Sequence, residues 1–249
     1  MRRVLVAIAF AMGAPASAAA QSAPPNDTQH YGEIADPSIW PISAVGVITV
    51  ALFSRKMSCT GTLVAPKLVL TAAHCLFNGK LLVNSGNVRF LAGVNKGVPA
   101  AHADAKRLVV PKEFSPGPPT QESVINDWAV IVLSDAISTK PIPVRPTTGD
   151  ELRTVVNPAY TMQVGYGRDR LYLPSIVRDC SVNESPDNRL FNHSCLTNFG
   201  SSGAPIIAQI GALTAVIGIN SVGNPERRIG LACSATQFGK TIAELTLSE

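Results

Sequence analysis

The chain has 249 residues, 46% of them hydrophobic and 15% charged, with 19 Gly and 19 Pro. That is enough apolar material for a full core, which excludes a disordered chain, and enough turn-formers to exclude an all-helical bundle and favour many short strands. The 21 basic and 17 acidic residues give +4, or 19 against 17 once Arg2 and Arg3 are set aside, and no Lys/Arg run occurs. This leaves no electrostatic footprint for nucleic acid and no polybasic membrane anchor.

In chain order, residues 1–20 carry two arginines, nine apolar residues at 4–12 and then small residues, the layout of a secretory signal peptide. Nine residues cannot cross a bilayer, which takes about 20. The expected location is secreted or periplasmic, with no membrane contact after cleavage. Residues 21–37 are polar, contain proline and lack a period, so they read as an extended arm or propeptide that contributes no core. From residue 44 the pattern turns to short β-branched runs: AVGVITVALF, GTLVA, KLVLTA, NVRFLAG, AKRLVV and WAVIVL. A proline-rich linker at 138–150 interrupts them. YTMQVGYG, SIVRDC, GAPIIAQI and TAVIGINSVG then resume the pattern, and 237–247 reads as a helix on the outside. Two halves of similar strand count suggest two facing β-barrels, at 38–140 and 141–249, with a ligand site at their seam.

Five cysteines, Cys59, Cys75, Cys180, Cys195 and Cys233, leave at least one unpaired, and no CxxC spacing supports a zinc or thioredoxin-type site. Three polar residues stand out from their surroundings. His74 ends the apolar stretch CTGTLVAPKLVLTAAHC; taken alone, a histidine there is ordinarily structural. His30, His102 and His193 lie in polar stretches and read the same way. Asp127 precedes the buried run WAVIVL, where a carboxylate must find donors or stay exposed. Ser202 lies in NFGSSGAPI between Gly200 and Gly203, which permit positive φ and leave room for a substrate carbonyl.

TAAHC, NDWAV and GSSGAP, in the order His, Asp, Ser, resemble the three signature segments of the chymotrypsin/trypsin-fold serine proteases. CTGTLVAP, RLVVPKEF, VGYG and VIGINSVG add to the likeness. The pairing of Asp179–Cys180 with SCLTNFGSSGAP is most similar to the bacterial glutamyl-endopeptidase-like branch. The resemblance implies an all-β fold of two antiparallel six-stranded β-barrels packed face to face, with a short C-terminal helix. It assigns Ser202 as nucleophile, His74 as general base and then acid, and Asp127 as the carboxylate that orients the imidazole. Backbone N–H groups of Gly200 and Ser202 would form the oxyanion hole. Cys59 would bridge to Cys75 and Cys180 to Cys195, leaving Cys233 as a buried free thiol. No cofactor or metal is expected, and the partner is a protein or peptide substrate met by a monomer.

Several positions depart from the family pattern. Ser201 replaces the aspartate with which animal digestive members pair a new N-terminal ammonium, and no RIVGG-like activation site occurs, so activation by that ion pair is not supported. Ala204 stands where glycine is usual. The primary pocket would be lined by Leu196, Thr197, Asn220, Ser221, Val222 and Gly223, with no acid to select Arg or Lys. Glutamate-selective relatives carry histidine where this chain has Asn220, although Thr197 matches them, so the expectation is a neutral pocket for a small or medium uncharged side chain. A catalytically inactive protease-like binding or adhesion module is the alternative from another functional class. An esterase of the α/β-hydrolase fold fits less well: its GxSxG spacing occurs around Ser202, but the chain order of the triad is wrong.

Overall fold

The computed structural model describes residues 32–52, 56–154, 156–184, 188–224 and 229–249. The leader expected at 1–20, residues 21–31 of the arm and His30 lie outside the described residues. In the first half, Val45–Ala51, Lys56–Ala65, Leu68–Thr71, Val88–Ala92, Ala101–Val109 and Ala129–Leu133 pair antiparallel and close into a six-stranded barrel. Closure suits this sequence because Leu68–Thr71 and Ala129–Leu133 are buried at every position, so neither strand could serve as a solvated edge. Irregular register at Leu63/Ala65 and Ala105/Arg107 supplies the bends a small barrel needs. Ile48, Leu63, Leu70, Phe90 and Ile131 fill its interior.

The second half forms a sheet that curls as a half-barrel. Its strand order is Glu33–Ile34, Ser175–Val177, Thr161–Gly165, Pro205–Ile210, Leu213–Asn224, Ile229–Ser234, Leu190–His193 and Val182–Glu184. Where six strands were expected, eight pair among the described residues; the arm strand and the short Val182–Glu184 occupy the two edges. The period-2 alternation of strand side chains divides Pro205–Ile210 between two cores. Ile206 and Ala208 pack with Phe191 and Ile217, while Ile207 joins Val216 and Ile219 in the core shared with the first barrel.

The arm does not behave as a coreless tail. Glu33 and Ile34 pair with Ile176 and Ser175, Ala35 N–H donates to Pro174 O at 3.0 Å, and Ala35 is buried. The strand Ser175–Val177 would otherwise expose a row of unpaired backbone groups, and the arm satisfies them.

The helix runs Ala235–Ser248, two residues earlier than its periodicity suggested, because Ser234 caps it by accepting from Thr236 N–H at 3.3 Å. Its buried face of Ala235, Phe238 and Ile242 meets Trp128 of the first half, with ring centroids of Phe238 and Trp128 6.1 Å apart. Glu249 at its end pairs with Lys106 and Arg107 of the barrel. Two further short helices, Gln121–Ile125 and Gly149–Thr154, were not anticipated. No helix among the described residues is long and apolar enough to cross a membrane.

Candidate active site

Strand Leu68–Thr71 delivers the chain to Ala72 and Ala73, small and fully buried, and then to a single 3-10 turn, Ala73–Leu76, that carries His74. Disulfide Cys59–Cys75 fastens this turn to the neighbouring strand Lys56–Ala65. The second disulfide, Cys180–Cys195, ties the start of the segment leading to Ser202. Each closes a loop of 16 or 15 residues, a length for which a crosslink stabilises by about 3 kcal/mol. The helix Gln121–Ile125, held by a reciprocal Thr120–Ser123 capping box, ends at Asn126 and sets Asp127 at the barrel mouth.

Asp127 is 4% exposed, and a carboxylate so placed needs donors. Three reach it. His74 donates its backbone N–H to Oδ1 at 2.9 Å, His74 Nδ1 lies 2.7 Å from Oδ2, and the Ser221 hydroxyl also donates to Oδ2. The carboxylate is an acceptor, so Nδ1 carries the proton and Nε2 of neutral His74 keeps its lone pair. Burial works against the imidazolium, but the hydrogen bond and negative charge of Asp127 outweigh it and raise the His74 pKa above its ordinary 6.5. The side chain is 39% exposed, so the ring remains accessible on the side away from Asp127.

Ser202 sits on a turn of the second half that the first barrel grips. Thr60 donates its N–H to Ser202 O at 3.0 Å and its hydroxyl to Gly200 O at 2.9 Å. Gly203, at φ +76°, lies so close that an added Cβ would come within 2.3 Å of Thr71 Oγ1 and 2.8 Å of Ala72 N. The serine loop thus abuts the segment that carries His74, although among the described residues no hydrogen bond joins Ser202 Oγ to His74.

On the same turn, Phe199 O accepts from Arg168 N–H at 2.6 Å. In a trans peptide the next N–H points the opposite way, so the Gly200 N–H faces away from Arg168. Gly200 holds φ +94°, and a Cβ there would lie 2.5 Å from Tyr166 O, so only glycine fits. Among the described residues no hydrogen bond uses the N–H of Gly200 or of Ser202.

The positions expected to line a pocket divide. Thr197 is buried with Oγ1 against Gly223, where an added Cβ would come within 1.7 Å of it. Ser221 turns its hydroxyl to Asp127, and Val222 packs with Val124, Ile125 and Leu190. Leu196 is half-buried. Asn220 is 3% exposed; Nδ2 donates to Ser201 O at 3.1 Å, and Oδ1 accepts from His193 Nε2 at 3.1 Å.

His193, read as a structural histidine of a polar stretch, is buried. Strand Leu190–His193 pairs with Ile229–Ser234, which brings the ring against Gly230 and leaves it 2% exposed. Burial lowers its pKa to about 4, against the opposing pull of Asn220. Neither the His193–Asn220 contact nor the Ser221–Asp127 contact was anticipated, because each depends on strand pairing over a long stretch of chain.

Cys233 is free and fully buried, its Sγ donating to Ile125 O at 3.1 Å, and burial together with the charge of Asp127 pushes the thiol pKa well up. Ligand atoms of Cys59, His74 and Cys75 lie within 4.8 Å of one another. Because the two sulfurs are joined to each other they offer no thiolate, and the cluster lacks a metal donor set.

Fold and comparison together define a chymotrypsin-fold serine endopeptidase. A family profile described as Trypsin matches residues 41–242, and the chain belongs to the trypsin family. A solved Glu endopeptidase, in complex with MPD, superposes with a TM-score of 0.68 at 20% identity, over 90% of this chain and 98% of that one. The VesB protease of Vibrio cholerae superposes at 0.65 with 17% identity, over 87% of this chain and 67% of that one. At such identities the likeness concerns the fold. No curated protein sequence matches the chain.

Proposed function

We propose that the protein is an exported serine endopeptidase that works through Ser202, His74 and Asp127, with the oxyanion held by the N–H groups of Gly200 and Ser202. The observation that carries this reading is the 2.7 Å contact of His74 Nδ1 with a buried, triply bonded Asp127, which leaves Nε2 as a base. A serine hydroxyl is a poor nucleophile at neutral pH and needs such a base. Ser202 Oγ attacks the scissile carbonyl while His74 Nε2 takes its proton. The imidazolium so formed is stabilised by Asp127 and then protonates the leaving amine, and water repeats the sequence to release the acyl group. The His74–Ser202 hydrogen bond forms as substrate binds; in free enzymes such catalytic bonds are often long or poorly aligned. Two unengaged N–H groups on the serine turn support the oxyanion assignment, each such donor being worth roughly 3 kcal/mol of transition-state stabilisation.

The primary pocket takes a small or medium uncharged side chain. Thr197 and Gly223 narrow it, and the pKa of His193, near 4, keeps that ring neutral at physiological pH. The leader at 1–20 and the two disulfides support export to the periplasm or medium, with a mature chain that acts as a monomer. Cleavage of a peptide library by the exported protein tests both parts. Activity lost in Ser202→Ala, with cuts after small uncharged residues, is the expected result; no cleavage of any member would overturn it.

A further inference from the structure

The unexpected docking of the arm leads directly to the serine turn. Arg170 is nearly buried and donates Nη2–H to Gly32 O at 2.5 Å. Its Nε lies 3.4 Å from Asp169 Oδ2. The other carboxylate oxygen of Asp169 accepts from Asn198 Nδ2 at 2.9 Å. Asn198 organises the serine turn from there: Oδ1 accepts from Phe199 N–H at 2.7 Å, its carbonyl accepts from Ser201 N–H at 2.9 Å, and its own N–H donates to Ser201 Oγ at 3.3 Å. The same short segment supplies the Arg168 N–H that fixes the Phe199–Gly200 peptide. One run of contacts thus reaches from a backbone carbonyl of the arm to the peptide whose N–H is assigned to the oxyanion.

We propose that Arg170 and Asp169 are positioning residues through which the docked arm, at Gly32, holds the Asn198–Ser202 turn in its oxyanion-binding geometry. The proposal rests on the endopeptidase reading given above. Neither residue reaches the reacting atoms. They act on where the Gly200 N–H stands, and so on an interaction made fully only in the transition state. Ser201, which brings no charge of its own to the turn, is held by Asn198, and the charged groups that fix the turn are Asp169 and Arg170, tied to the arm.

The test is steady-state hydrolysis of a peptide substrate by the full exported chain, alongside its melting temperature. Arg170→Met removes the cation while keeping the stem. Gly32→Val undocks the arm, since Gly32 has φ +87° and an added Cβ would come within 2.5 Å of Ile176 O. Each is expected to lower kcat by roughly 10- to 100-fold, the cost of a misplaced catalytic group, with KM unchanged. Because both interrupt one route, the double variant should be no slower than the slower single variant. Arg170→Lys should recover part of the rate. Should Gly32→Val fail to fold, the Met and Lys variants at 170 still decide the matter. Full kcat in Arg170→Met, a melting temperature that falls without any loss of kcat, or losses that multiply in the double variant would overturn the proposal. A wild-type protein that cleaves nothing overturns instead the endopeptidase reading, a separate and recognisable result.

Discussion

Burial of His193 as a neutral ring makes stability depend on pH in a calculable way. Folding lowers its pKa from 6.5 to about 4, so between those values the unfolded chain binds a proton that the folded chain does not. The contribution is complete above pH 6.5 and is lost as pH falls through 4. Linkage gives a loss of about 2 kcal/mol by pH 5 and about 3 kcal/mol by pH 4. His74 has the opposite sign: its raised pKa adds stability that is fully present below 6.5 and is lost as pH rises through the raised value. The assay is urea unfolding at pH 7.5, 5 and 4, comparing wild type with His193→Phe, in which only the residue-193 contribution differs. The variant starts less stable at pH 7.5, having lost the bond to Asn220, and its stability should then decline less steeply into acid by the amounts just given. Parallel pH profiles for the two proteins would show that His193 does not bind its proton differently in the folded and unfolded chains.

Further predictions concern the His74–Asp127 pair, the serine turn and the first disulfide. Asp127→Asn keeps the shape but favours the wrong tautomer of His74 and should lower kcat by about 10⁴-fold; stopped assays across pH should also show wild-type activity declining as pH falls through the raised His74 pKa. Gly203→Ala places a Cβ within 2.5 Å of Thr60 O at φ +76°, and denaturant unfolding should show a loss of about 1–3 kcal/mol from backbone strain alone, with hydrolysis reduced as Ser202 shifts. Replacing Cys59 and Cys75 together by serine releases the His74 turn and should cost about 3 kcal/mol in the same measurement.

The first barrel was legible because its strands are short β-branched runs whose pairing is mostly with near neighbours, as in Leu68–Thr71 beside Lys56–Ala65. His74, Asp127 and Ser202 stand out as a candidate site only together: each has an ordinary reading alone, and their motifs and chain order carry the information. What stayed hidden depends on distant pairing. Strand Ile229–Ser234 has too little alternation to announce itself, yet its partnership with Leu190–His193 turns a histidine of a polar stretch into a buried one. Ser221 was placed among the pocket residues by its offset from Ser202, and a one-dimensional offset cannot show that its hydroxyl reaches Asp127. The arm looked coreless because its few apolar residues have no period, and only the free edge of Ser175–Val177 gives them a place. Asp169 and Arg170 carry no signal in the sequence, because their contacts are with the docked arm and with Asn198.

Catalysis as proposed requires that one hydroxyl in the chain be activated by an imidazole from the other half of the fold. Treating the purified protein with a fluorophosphonate and mapping the adduct by mass spectrometry addresses it directly. A single phosphonyl group on Ser202, formed rapidly in wild type and not in His74→Ala, is the result expected. An unmodified Ser202, or labelling that proceeds equally well without His74, would contradict it.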